Sequence, residues 1–238
     1  MTTFILVHGA YHGAWCYSKV KPLLESAGHK ALAVDLPGHG NNVIPIEKVT
    51  FSAYVEYLSK VIDDQEEKVL LVGHSLGGMS ISQVAEHKHE KIEKLVYLTA
   101  LIPMNNESRM GISDRVNEDS TVARARIATQ DGLASTIDDQ LLKTLFYHDC
   151  SQSDLSMAKN NLVPQATEPL RAKVCLTEEK YGSVPRAYIE CLRDRAIPLK
   201  MQREMVSDVP CQQVETLDTS HSPFFSAPEE LAQLLILL

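Results

Sequence analysis

Ser75 stands between glycines in Gly73-His74-Ser75-Leu76-Gly77-Gly78, directly after the aliphatic run Val69 to Val72 and before a helical pattern through Ile81, Val84 and Ala85. A serine hydroxyl is a weak nucleophile at neutral pH until a base takes its proton. Strand, Gly-x-Ser-x-Gly and helix in that order make a nucleophile elbow, a tight turn that exposes the hydroxyl. The serine there must take a strained backbone conformation, and neighbours without a Cβ, Gly73 and Gly77, let strand and helix close around it. The new helix N-terminus brings the backbone N–H of Leu76 to where an oxyanion would develop. A glycine-rich turn without chemistry is the plain alternative, and the strand-helix setting disfavours it.

The base and the acid should follow the serine along the chain, acid first. Of nine histidines, His221 in Leu217-Asp218-Thr219-Ser220-His221 follows the last expected strand and is the candidate base. His74 reads as a structural neighbour of the elbow, and His87 and His89 as a solvated helix end. The acid must orient His221 and stabilise its imidazolium. Asp194, just past a strand ending at Leu192, is preferred. Asp218 is the rival, and its closeness in sequence suits a local turn better. A second oxyanion donor is expected from the turn after the first strand, where Ala10 follows His8-Gly9. Tyr11, Trp15, Met79, Tyr147 and Phe224 are candidate walls of a substrate pocket.

These residues need a scaffold, and the hydrophobic pattern supplies one. Buried strands are expected at Thr3 to Val7, His29 to Leu36, Val69 to Val72, Ile92 to Ala100, Ser183 to Leu192 and Cys211 to Leu217. Helical spacing recurs at Phe51 to Ile62, Pro198 to Val206 and Pro228 to Leu238. Trp15 to Ala27 also reads as helix, closed by Gly28. Within it Pro22 requires either a kink or a late start of the regular turns. Strands alternating with helices imply an α/β fold, a mostly parallel doubly wound sheet covered on both faces. Ligands of such sheets bind beyond the carboxyl ends of the strands. Residues 1–103 and 182–238 are assigned to this core. Between them, 104–181 breaks the rhythm, with a weakly periodic polar stretch from Ser108 to Arg126, then helices near Ile137 to Tyr147 and Gln152 to Leu162. That excursion is expected to be a mainly helical cap inserted between two strands. Ser151 and Asp154 have capping-box-like spacing.

The bulk numbers narrow the function classes. The 238 residues suit one α/β domain with an insertion. A net charge of −8 without a basic stripe argues against nucleic acid as partner. Five scattered cysteines without a CxxC pair favour reduced thiols over a disulfide framework or a metal site. Met1 to Ala10 lacks a basic leader and reads as a strand, and no apolar run approaches the ~20 residues of a membrane span. A cytoplasmic protein without metal, cofactor or membrane partner is expected. A homodimer through an exposed helix or cap face is left open.

The stretches HGAYHGAWCYSKVKPLLESAGHKALAVDLPGHG, VGHSLGGM and EEKYGSVPRAYIECLRDRAIP resemble the plant methylesterase and hydroxynitrile lyase group of α/β-hydrolases, which includes the salicylate-binding methylesterases. The resemblance spans nearly the whole chain. It implies an α/β-hydrolase core shortened at the N-terminus, a cap over a small hydrophobic acyl pocket, and cofactor-free hydrolysis of carboxylic esters. It carries Ser75, Asp194 and His221 as triad, with Ala10 and Leu76 as oxyanion donors. Lyases of the rubber-tree type differ in having threonine where this chain has Ala10 and lysine where it has Ser222. The other lyase subtype has asparagine in place of Ala10 and phenylalanine within the elbow. Methylesterases of the group usually carry methionine at the position of Ser222. His221-Ser222-Pro223-Phe224 resembles bacterial relatives instead, some of which cleave pyrethroid-type esters.

The expected activity is that of a serine carboxylesterase acting on small hydrophobic methyl or aryl esters through an acyl-enzyme. Cyanohydrin cleavage on the same triad is the runner-up, and the missing lysine counts against it. A ligand-binding receptor on the same scaffold is the alternative from another class.

Overall fold

The computed structural model describes residues 1–116 and 121–238. In chain order its elements are β1 (Thr3–Val7), α1 (Val20–Ser26), β2 (Lys30–Val34), α2 (Phe51–Asp63), β3 (Val69–His74), α3 (Gly77–Lys88) and β4 (Ile92–Leu98). Then follow α4 (Arg109–Arg115), α5 (Thr121–Arg124), β5 (Arg126–Ala128), β6 (Ala134–Ile137), α6 (Asp139–Phe146), α7 (Gln152–Asn161), β7 (Gln165–Ala166) and α8 (Glu168–Arg171). The chain finishes with β8 (Arg186–Cys191), α9 (Leu199–Asp208), β9 (Gln213–Leu217), α10 (Pro223–Ser226) and α11 (Pro228–Leu237).

Six strands form one sheet in the order β2-β1-β3-β4-β8-β9, with every neighbouring pair parallel. Strand alternation divides its two faces. Ile5, Val7, Leu71 and Tyr97 join one core cluster with side chains of α2, α3 and α9, while Phe4, Leu6, Val72 and Val96 join the other with α1, α6 and α11. Helices on both faces explain why β3 is buried at all six positions. They also explain α3, whose first ten residues, Gly77 to Glu86, are all buried, so it lacks a solvated face over most of its length.

Local chemistry sets the element ends. Thr50 caps α2 by accepting from the N–H of Ala53 at 3.1 Å, and Ser151 caps α7 by accepting from the N–H of Asp154 at 3.1 Å. Pro22 is tolerated by a late start: a 3-10 turn over Ala14–Tyr17 comes first, and α1 begins at Val20. Pro22 then lies in the first turn, where its missing N–H costs nothing. Gly28, at φ 85°, ends α1 in the left-handed region.

Between β4 and β8 the chain leaves the main sheet. Helices α4 to α8 occupy this segment together with a three-stranded antiparallel sheet, β5-β6-β7. The small sheet is additional to the helices expected there, because strands of two to four residues are too short to display alternation. Of the weakly periodic stretch, 117–120 lie outside the described residues. No described helix is long and apolar enough to cross a membrane.

Candidate active site

Ser75 lies between the end of β3 and the start of α3 with φ 53°, in the left-handed region that side chains with a Cβ avoid. Three backbone bonds hold it there. Its N–H donates to Leu98 O at 3.3 Å, and its carbonyl accepts from Gly78 N at 3.1 Å and Leu101 N at 3.0 Å. The flanking glycines are a matter of room. A Cβ on Gly73 would come within 2.9 Å of Gly77 O, and one on Gly77 within 2.8 Å of His8 O. Gly9 is equally tight from the other side, since a Cβ there would meet the Ser75 Cβ at 2.7 Å.

His221 and Asp194 come together across the ends of β8 and β9. His221 Nδ1 stands 2.6 Å from Asp194 Oδ2, and both residues are buried. Asp194 is fully committed. Its Oδ2 also accepts from the Thr99 hydroxyl at 2.5 Å, and its Oδ1 accepts from Ala196 N at 2.6 Å and Ile197 N at 3.0 Å. These contacts fix the carboxylate against Nδ1 of His221, which leaves Nε2 of the ring turned away from it. Asp218 is elsewhere: it pairs with Arg193 at 2.9 Å on the surface, its side chain 76% exposed.

One cavity, about 520 Å³ of non-atom space including its mouth, is bordered by Ser75, His221, Ala10 and Leu76. The turn carrying Ala10 is braced. His12 Nδ1–H donates to Ala10 O at 2.7 Å, the Tyr147 hydroxyl donates to His12 Nε2 at 2.6 Å, and Tyr11 is held at φ 68°. Three more buried imidazoles repeat the pattern. His8 Nδ1–H donates to Gly9 O at 2.8 Å while its Nε2 accepts from Leu36 N at 3.1 Å. His39 Nδ1–H donates to His12 O at 2.7 Å and its Nε2 faces the Tyr54 hydroxyl at 2.9 Å. His74 Nε2–H donates to the carbonyl of His221 at 2.8 Å, which places it beside the elbow as a strut. Burial keeps all four neutral, lowering His12 to about 3 and His39 to about 4, and His8 and His74 well below the usual histidine range.

Of the five aromatic and methionine residues expected to wall the pocket, Tyr11 lines the cavity. The other four do not, and packing explains each. Met79 is wholly buried in the core under α3. Phe224 is wholly buried against Tyr17 and His74. Tyr147 serves His12, and Trp15 stacks on His12 at 5.3 Å with Phe225 on a further side at 6.1 Å. The walls come instead from Leu101, Phe146, Leu170, Ile197 and Met201, with Arg109 and Arg126 among them. Thr99, His12 and the two arginines were not singled out by sequence. Only His12 had a signal, its place in the His8-Gly-Ala-Tyr-His12-Gly turn.

Comparison with known proteins agrees with this architecture. The profile of the alpha/beta hydrolase family matches residues 4–234. Putative methylesterase 11, chloroplastic, of Arabidopsis thaliana is 36% identical over 98% of this chain, which spans 63% of that relative's length. Polyneuridine aldehyde esterase of Rauvolfia serpentina is 35% identical, with 98% of this chain and 94% of that protein covered. The crystal structure of polyneuridine aldehyde esterase superposes with a TM-score of 0.87 at 34% identity, covering 99% of this chain and 98% of that one.

Proposed function

The chain belongs to the alpha/beta hydrolase family, and from that premise we propose that it is a serine carboxylesterase that cleaves small carboxylic esters of the methyl or aryl type through an acyl-enzyme. One observation carries the reading: Ser75, strained at the end of β3, borders the same cavity as His221, whose Nδ1 is held 2.6 Å from Asp194.

In this mechanism the Ser75 Oγ attacks the ester carbonyl carbon while His221 Nε2 takes its proton. The oxyanion develops against the backbone N–H groups of Ala10 and Leu76, each worth roughly 3 to 4 kcal/mol of barrier. Collapse breaks the bond to the alcohol, which leaves with the proton from His221. Water then attacks the acyl carbon, gives its proton to His221, and the second collapse returns that proton to Ser75 and frees the acid. Asp194 keeps the imidazole in the one tautomer that can do this and stabilises its charged form. The names of the similar proteins, a putative methylesterase and polyneuridine aldehyde esterase, favour ester over cyanohydrin chemistry.

The test is hydrolysis of p-nitrophenyl acetate, p-nitrophenyl butyrate and methyl salicylate by wild type and Ser75→Ala, with mandelonitrile alongside. Ester turnover that disappears in Ser75→Ala while the melting curve is kept supports the reading. Mandelonitrile cleavage without ester turnover replaces it with lyase chemistry.

A further inference from the structure

The cavity beside Ser75 is walled largely by apolar side chains, yet Arg109 and the half-buried Arg126 are among the residues that line it. Arg109 opens α4 and is only 9% exposed. Arg126 opens β5, in register with Ile137 of β6. Its Nε is buried and has no hydrogen-bond partner among the described residues. Arg109 is already engaged within the chain, so Arg126 is the group left for a ligand. Among the described residues no Asp or Glu lines this cavity, and the oxygens of Asp194, the acid behind it, are taken by His221, Thr99, Ala196 and Ile197.

A guanidinium keeps its charge at any pH a folded protein tolerates. Burying one of its N–H donors without an acceptor is unfavourable, because the lost water contact is not replaced. A wall of this kind is out of place in a pocket for wholly neutral esters, because an alkyl or aryl group docked there would complete the desolvation and satisfy nothing. Burial, and after it the neighbouring charge of Arg126, lowers Arg109 to about 10, which places the two guanidinium groups close enough to repel one another. An anion brought by the ligand would relieve both. The planar fork of arginine matches a carboxylate in particular.

Resting on the esterase reading, we propose that the cavity selects esters carrying a second, ionised acid group: a carboxylate bound by Arg126, with Arg109 beside it, which makes half-esters of dicarboxylic acids the preferred substrates. The chain length between the two carboxyl groups then decides whether the ester carbonyl reaches Ser75.

Initial rates with the monomethyl and dimethyl esters of dicarboxylic acids from malonate to suberate test this in wild type, Arg126→Gln and Arg126→Lys. A charge-assisted hydrogen bond is worth ~1.5–3 kcal/mol. At one chain length the half-ester should therefore show a kcat/KM about tenfold or more above its dimethyl counterpart. That ratio should collapse towards one in Arg126→Gln, recover in part in Arg126→Lys, and shrink as salt is raised. Dimethyl esters cleaved as fast as half-esters at every length, or a preference that survives Arg126→Gln, would overturn the proposal and leave the esterase reading standing. If no ester is cleaved, the esterase reading fails, and calorimetry of half-ester binding decides the anion site separately. Binding that is lost in Arg126→Gln supports the site, and absence of binding overturns it.

Discussion

Lowering the pH from about 7.5 to about 5 should destabilise this fold through its histidines rather than its carboxylates. His12 and His39 are brought from the ordinary 6.5 to about 3 and about 4, burial being the largest cause for each. The folded state keeps both neutral, whereas the unfolded chain binds a proton on each as the pH falls through 6.5. The unfolded state thus holds more protons, and stability falls with pH. The contribution is fully present above 6.5, and its loss is complete near 4 for His39 and near 3 for His12. At pH 5, about 1.5 pH units below the ordinary value, each group costs about 2 kcal/mol, so the two together cost about 4 kcal/mol. His8 and His74 act in the same direction. Against a typical total of about 5–15 kcal/mol this is a large share. Glu86, Asp149 and Asp154 have lowered carboxyl pKa values, so their contribution stays in force until the pH falls below about 4 and does not blur this window. Urea unfolding followed by circular dichroism at three pH values across the window measures the loss. His39→Gln keeps a donor and an acceptor for the His12 carbonyl and the Tyr54 hydroxyl and should flatten the slope by about one proton. An unfolding free energy constant within about 1 kcal/mol from pH 7.5 to pH 5, or an equal slope in His39→Gln, would refute the reasoning.

Asp194→Asn should keep the fold and lower kcat on p-nitrophenyl acetate by about three to four orders of magnitude, because the amide would present a donor where His221 Nδ1–H needs an acceptor. Steady-state kinetics check it, and a loss below about tenfold would remove Asp194 from the triad. Ser222→Ala should raise stability by up to about 1–3 kcal/mol, since the Ser222 hydroxyl is buried without a partner among the described residues. A lower urea midpoint in that variant would mean that the hydroxyl is satisfied.

The sheet and the elbow were legible because their signals are local. An aliphatic run up to Val72 and a helical pattern from Ile81 bracket the place where a strand gives way to a helix, although β3 continues through His74 and α3 already starts at Gly77, leaving Ser75 and Leu76 as the turn itself. Asp194 was preferred to Asp218 from its place after a strand, and the strand order gives the physical reason they meet: β8 and β9 lie side by side, so the loops that follow them bring Asp194 to His221. The pocket walls were the least legible. Aromatic and methionine residues near a site in sequence, such as Met79 and Phe224, have equal reason to fill the core, and the sheet faces claimed them. The other residues that line the cavity are scattered over several cap elements, α9 and the loops holding Leu101 and Ile197, and no periodicity links them. Arg126 in particular stands in a three-residue strand, where a polar side chain reads as ordinary surface.

Thr99 just past β4 combines two features that conflict: φ 37°, which a β-branched residue resists, and a hydroxyl donated to Asp194 at 2.5 Å. Glycine would relax the backbone there by roughly 1 kcal/mol or more and drop the bond that steadies the acid. The two do not balance, because a hydrogen bond to a charged group is worth about 1.5–3 kcal/mol, more than the backbone would gain. For protein engineering the position therefore guards itself: a library screened on melting temperature alone would keep threonine at residue 99 and, with it, the contact to Asp194. Heat challenge and the placement of this carboxylate are selected together here, so thermostabilisation of the scaffold need not erase what residue 99 holds in place.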